Sequence, residues 1–155
     1  MLDILAKLGV GLGECEIVLP RTQYTAGEKV GGVIRLTLWK PVRANHLFVS
    51  LVAWQTVRRR GPGSNEDVML LEEQKTLQEE RDYAEGLHDF PFYLTLPSHP
   101  VRSKEPEGLA AAVEMATDIF MDRVSSWGDI KWAVVARLDI PWNVDVRGAV
   151  RLRVE

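Results

Sequence analysis

Residues 130–140, Ile-Lys-Trp-Ala-Val-Val-Ala-Arg-Leu-Asp-Ile, decide the fold class. Every second residue is apolar: Ile130, Trp132, Val134, Ala136, Leu138 and Ile140. A strand sends successive side chains to opposite faces, so this spacing predicts one strand with one buried face. Lys131 and Arg137 fall on the other, wet side.

The same phase recurs along the chain. Val30, Ile34, Leu36 and Leu38 share a face of a strand over residues 29–39, with Gly32 among them. Phe90, Phe92, Leu94 and Leu96 do so over 90–96, and Val146, Val150, Leu152 and Val154 over 146–154. Cys15, Ile17 and Leu19 begin a shorter strand. Such faces need a second layer to leave water, and two packed antiparallel sheets are the simplest arrangement. The expected class is therefore mainly β, an antiparallel two-sheet β-sandwich of immunoglobulin-like type. Trp132, Leu138, Phe90, Phe92, Ile34 and Leu36 are expected to meet in one core.

The separators agree with this reading. Thr25-Ala26-Gly27-Glu28 has turn chemistry, with Gly27 free to take positive φ. Pro41 and Pro141 close strands because proline cannot donate to a ladder. Gly61-Pro62-Gly63-Ser64-Asn65 reads as a loop. Residues 68–80 carry strong helix formers and could be a short helix on propensity alone. The preferred reading is a strand pair that turns near Arg81-Asp82. The exception to the β pattern lies at 107–124. There Leu109, Val113, Ala116, Phe120 and Val124 recur every three or four residues, opposite Glu114, Asp118 and Asp122. This predicts an amphipathic helix, within an insertion at about 104–126, and Pro106 suits its first turn.

At 155 residues the chain suits one domain over 1–155, with one core. Hydrophobic residues make up 46% and charged residues 26%, an ordinary globular balance. A formal net charge of −3 argues against a nucleic-acid partner, which usually calls for a basic excess. Residues 1–13 have no basic leader and no sustained apolar run, so a signal peptide is not expected. No stretch approaches the roughly 20 apolar residues of a membrane span. Cys15 is the only cysteine, which suits a reducing cytoplasm and leaves no internal disulfide or multi-thiolate metal site.

Several quoted segments stand in a recognisable order. Tyr24-Thr25-Ala26-Gly27-Glu28-Lys29-Val30-Gly31-Gly32 resembles the opening of arrestin-like domains. Glu85-Gly86, Phe90-Pro91-Phe92 and Leu96-Pro97 resemble their central segment. Asp129 to Val134, Leu138 to Pro141 and Asp145-Val146 resemble the strand pair that ends the family's N-terminal domain. The leading Gly9-Val10-Gly11-Leu12-Gly13 is similar to the start of the bacterial sporulation-control branch. The resemblance spans roughly residues 9–154 and implies an arrestin-like β-sandwich with an adaptor or scaffold role. Its relatives usually carry a second sandwich, whereas this chain ends at Glu155 with the first. An inserted helix would stand where they have a short loop.

Candidate chemistry is sparse. His46, His88 and His99 have no second metal ligand at a helical or Cys/His spacing. His88 and Asp89 are strand neighbours, so they point to opposite faces and make no dyad. Ser125 and Ser126 lack a nucleophile-elbow setting, and Cys15 on an apolar face reads as a buried, inert thiol. The glycines at 9, 11 and 13 have neither dinucleotide-loop nor P-loop spacing and read as a hinge. No enzymatic activity, cofactor or metal is expected.

Two groups of residues remain as candidate binding sites. Leu109, Val113, Phe120 and Val124 form an apolar stripe for a protein partner or for the chain's own sheet; the acidic side of that helix argues against a membrane. Arg147, Arg151 and Arg153 share the wet face of the last strand, where guanidinium groups suit an anionic ligand. Exposed tryptophans among Trp39, Trp54, Trp127 and Trp142 would serve as anchors. A homodimer is a further expectation, because open sheet edges accept another strand. The function expected is a non-enzymatic protein-interaction domain. A small-ligand- or carbohydrate-binding sandwich is the alternative, and a hydrolase on that scaffold the third.

Overall fold

A computed structural model describes residues 11–59, 65–98 and 124–155. Alternation of apolar and polar side chains becomes ten strands among these residues: β1 (Gly13–Val18), β2 (Gln23–Tyr24), β3 (Lys29–Leu38), β4 (Val42–Ala44), β5 (His46–Arg59), β6 (Asn65–Gln78), β7 (Arg81–Tyr83), β8 (Gly86–Thr95), β9 (Val124–Asp139) and β10 (Val146–Val154). They form a three-stranded sheet ordered β1-β3-β8, a five-stranded sheet ordered β2-β10-β9-β5-β6, and a small β4-β7 pair. All pairings are antiparallel except β2 with β10.

The two larger sheets turn their apolar faces to each other. Val30, Ile34, Phe92 and Leu94 from one layer and Val49, Leu51, Trp132, Val134 and Leu152 from the other share a core cluster. A second cluster gathers Leu36, Leu38, Leu47, Leu138 and Val146 with Tyr83 of the β4-β7 pair. The six residues expected in one core are thus divided, with Leu36 and Leu138 in the second cluster. The short β4-β7 pair brings its own apolar residues, Val42, Ala44 and Tyr83, to one end of the sheets and makes a separate centre there. Phe90, Cys15 and Leu77 pack against both clusters and join them.

Helix propensity fails at 68–80, where tertiary pairing wins and β6 runs beside β5 for its whole length. The expected hairpin partner is different, however. After β6 the chain turns at Glu79-Glu80 into β7, which pairs with β4, and β8 joins the other sheet. The helix expected at 107–124 lies outside the described residues, except that Val124 already opens β9.

The turn motif at residues 24–28 ties three elements together. Gly27 takes φ 86°, which a side chain would resist. Its N–H donates to the Pro97 carbonyl at 3.1 Å, and the Ala26 N–H donates to the Glu155 carbonyl at 3.3 Å. Glu28 accepts from the Thr25 N–H at 3.0 Å and pairs with Arg21. The Thr25 and Arg21 donors hold its carboxyl below the usual range. Tyr24 is buried, with its hydroxyl donating to the Arg21 carbonyl at 3.0 Å.

Chain direction explains how the layers close. β1 belongs to the three-stranded sheet, and the continuation of the same segment, β2, belongs to the five-stranded one. The Cβ direction at Gly148, which faces into the molecule, runs onto the backbone of Cys15. β1 therefore crosses over the inner face of β10, and of these two N-terminal strands only β2 lies in the plane of β10.

Candidate interaction face

Strand phase puts Lys131, Ala133, Val135 and Arg137 of β9 on the outward side of the five-stranded sheet, with Arg147, Ala149, Arg151 and Arg153 of β10 beside them. β5 adds Phe48, Ser50, Val52 and Trp54 to the same side. Exposure is uneven across it. Ser50, Val52 and Ala133 in the centre are buried, whereas all four outward residues of β10 are exposed.

Arg147 stands directly opposite Arg137 in the register, a like-charge pair that would repel. Asp145 resolves it. Its Oδ2 lies 3.5 Å from Arg137 Nη1 and 3.9 Å from Arg147 Nη2, while Oδ1 accepts the Ile140 N–H at 3.1 Å. Two aromatic rings support the neighbouring guanidiniums: Arg137 lies 5.1 Å from the Phe48 ring centre and Arg151 lies 4.7 Å from that of Trp54. Lys131 donates to Thr56 Oγ1 at 3.4 Å. Arg151 and Arg153 have no carboxylate partner among the described residues.

The three arginines singled out from sequence thus share one margin but do not converge on one pocket. Four residues of strand separate Arg147 from Arg151, roughly 13 Å. Such a row suits an extended anionic partner better than a single small anion. Sequence reading missed the Asp145 clamp and the Trp54–Arg151 stack. The first was legible, because Asp145 has the same strand phase as Arg147; the second required the pairing of β5, β9 and β10.

Among the described residues the other candidates are dispersed; His99 lies outside them. His88 Nε2 lies 2.7 Å from the Ala84 carbonyl, while Asp89 pairs with Arg35 at 3.3 Å, so the two do not meet. His46 stacks on Phe48 and lies 3.4 Å from Glu79. Burial and then the neighbouring Glu16 carboxylate push the Cys15 thiol up to about 12, which leaves it protonated and unreactive at neutral pH. Among the described residues, no cluster of His, Cys, Asp and Glu is placed to hold a metal ion. An open concavity of about 290 Å³ between β6 and β8 is lined by Glu73, Lys75, Tyr93 and Thr95. Trp132 is core and Trp142 is fully exposed at the β9–β10 turn, with φ 63°. Leu109, Val113 and Phe120 lie outside the described residues, as does the side chain of Val124.

The chain has an arrestin-like fold. It superimposes on the crystal structure of Spo0M, a sporulation control protein from Bacillus subtilis, with a TM-score of 0.65 and 19% sequence identity. The match covers 94% of this chain and 50% of that one, so the chain spans about half the length of this neighbour. No family model and no curated protein matches the sequence. No helix among the described residues is long and apolar enough to cross a membrane.

Proposed function

We propose that the chain is a non-enzymatic protein-interaction module, an adaptor or scaffold domain of arrestin-like sandwich type. It meets its partner along the arginine margin of β10 and works in a reducing, cytoplasmic setting. The observation that carries this reading is the exposed, uncompensated pair Arg151 and Arg153, with Arg147 in line, on a chain whose net charge is −3. Solvation alone calls for no concentration of one sign on one strand, and complementary charge is a common means of steering and registering a partner. Among the described residues His46 and His88 lie apart and Cys15 stays protonated, so they supply no nucleophile–base pair, in keeping with a binding role.

The test is affinity capture from native lysate with three baits. One is wild type, one carries Arg151→Glu and Arg153→Glu, and one carries Lys29→Glu and Arg35→Glu on the other sheet. The last two have the same net charge. A partner held by wild type and the second pair, and lost from the first pair, supports the reading. An identical set of captured proteins on all three baits would sink it.

A further inference from the structure

The margin of β10 carries a second property besides charge. The N–H of Arg153 donates to the Thr22 carbonyl at 2.8 Å, and the N–H of Glu155 donates to the Tyr24 carbonyl at 3.0 Å. Both therefore point away from β9, into the plane of the sheet on its β2 side. Backbone polar groups alternate along a strand, so the N–H and C=O of Arg147, Ala149 and Arg151 point the same way. β2 pairs only Arg153 and Val154. Upstream of them no strand pairs with this edge among the described residues. β1 passes nearby, but over the inner face, where its Cys15 carbonyl fills the space a Cβ on Gly148 would need.

We infer that the β10 edge from Arg147 to Arg151 takes an extended acidic peptide segment as an added strand. The inference rests on the interaction-module reading above and specifies its ligand. Ladder bonds to Arg147, Ala149 and Arg151 hold the main chain of the segment. Residues opposite these three have their side chains on the same outward face. The segment therefore presents a carboxylate to Arg147, a small residue to Ala149 and a carboxylate to Arg151, which gives acidic residues four apart. The charges favour this occupant: Arg151 has its guanidinium set on Trp54 and no carboxylate partner, and Arg147 shares Asp145 at the longer of its two distances. Main-chain pairing supplies affinity, and the spacing of acidic side chains supplies selectivity.

The probe is a short synthetic peptide with two glutamates four residues apart, alanine midway and valine or threonine elsewhere, measured by fluorescence anisotropy on the full chain. Arg151→Glu is expected to weaken it about tenfold or more, through a lost charge-assisted contact. Ala149→Pro removes an edge-facing donor, keeps every arginine and leaves the β9 ladder intact, because proline is tolerated on an edge. It is expected to weaken binding at least about fivefold. Peptides N-methylated on the amides that would face β10 should lose binding, and those methylated on the alternate amides should keep it. This pair decides the matter if Ala149→Pro fails to fold. Loss with Arg151→Glu alone, with neither proline nor N-methylation having an effect, would overturn strand addition and leave the charged margin standing. Failure of wild type to bind the peptide, while the lysate partner is still captured through the margin, would overturn the inference alone. Failure of both would overturn both.

Discussion

Gly148 of β10 and Cys15 of β1 touch so closely that a methyl group on Gly148 would lie 2.5 Å from the Cys15 carbonyl oxygen and 3.2 Å from its sulfur. This contact sets how near the two sheets come where the N-terminal segment crosses between them. Gly148→Ala is therefore expected to destabilise by roughly 1–3 kcal/mol, as overpacking does. Gly31→Ala is the matched control, since a methyl there would make only ordinary contacts at 3.8–3.9 Å. It should be neutral or stabilise by up to about 1 kcal/mol, because the unfolded chain loses freedom. Urea titration of the two variants checks the contrast, and equal effects would mean that β1 yields without cost.

The Cys15 thiol gives a dependence on alkaline pH. Its folded pKa, pushed up to about 12 by burial and by Glu16, lies above the unfolded value. The neutral thiol's contribution is therefore complete below the ordinary thiol range and is lost as pH rises from that range toward about 12. Native protein should resist alkylation by iodoacetamide at pH 8 and react once unfolded in urea. The melting temperature of Cys15→Ala should fall less steeply than that of wild type at alkaline pH. Rapid labelling of the native chain would show that the sulfur reaches water.

Tyr83 holds the second core cluster together with its ring but leaves its hydroxyl buried without a hydrogen-bond partner among the described residues. His88 and Phe90 meet the ring edge-on at 5.6 Å and 6.1 Å between centroids, and neither supplies an acceptor in that geometry. Tyr83→Phe keeps the packing and removes an unsatisfied polar group, so it should stabilise by about 1 kcal/mol. Guanidinium unfolding would report the gain as a higher midpoint at unchanged slope. A loss of comparable size would reveal a partner for the hydroxyl.

The strands with strict alternation are legible in the sequence itself. From residue 130 to 140 the even positions are all apolar while Lys131, Arg137 and Asp139 fall on odd ones, a period of two that fits a strand and not a helix, so face and phase are read together. Residues 68–80 were harder, because Leu70, Leu71, Glu72 and Glu73 break the phase. The structure shows why: the register slips at Ala53/Trp54, and the extra residue lets both leucines pack on the first cluster. The division of the core was not legible at all. It depends on where β4 and β7, only three residues each, happen to pair. At the candidate margin the arginine row was visible as a pattern on one strand. Its edge character was hidden, because an edge is a property of sheet order, and nothing local in residues 147–151 states which strand is missing beside them.

The parallel pairing of β2 with the end of β10 has a mechanical side. Tension entering through the segment before β2 and leaving after β10 pulls the two strands along their own lengths in opposite directions. The bonds from Arg153 to Thr22, Glu155 to Tyr24 and Ala26 to Glu155 then carry load together, in shear, instead of opening one after another. The side-chain bond from Gln23 to Glu155 at 2.8 Å lies in the same patch. Tension that reached β2 would meet this clasp in shear, whereas a pull in any direction that peeled β2 sideways would meet far less resistance.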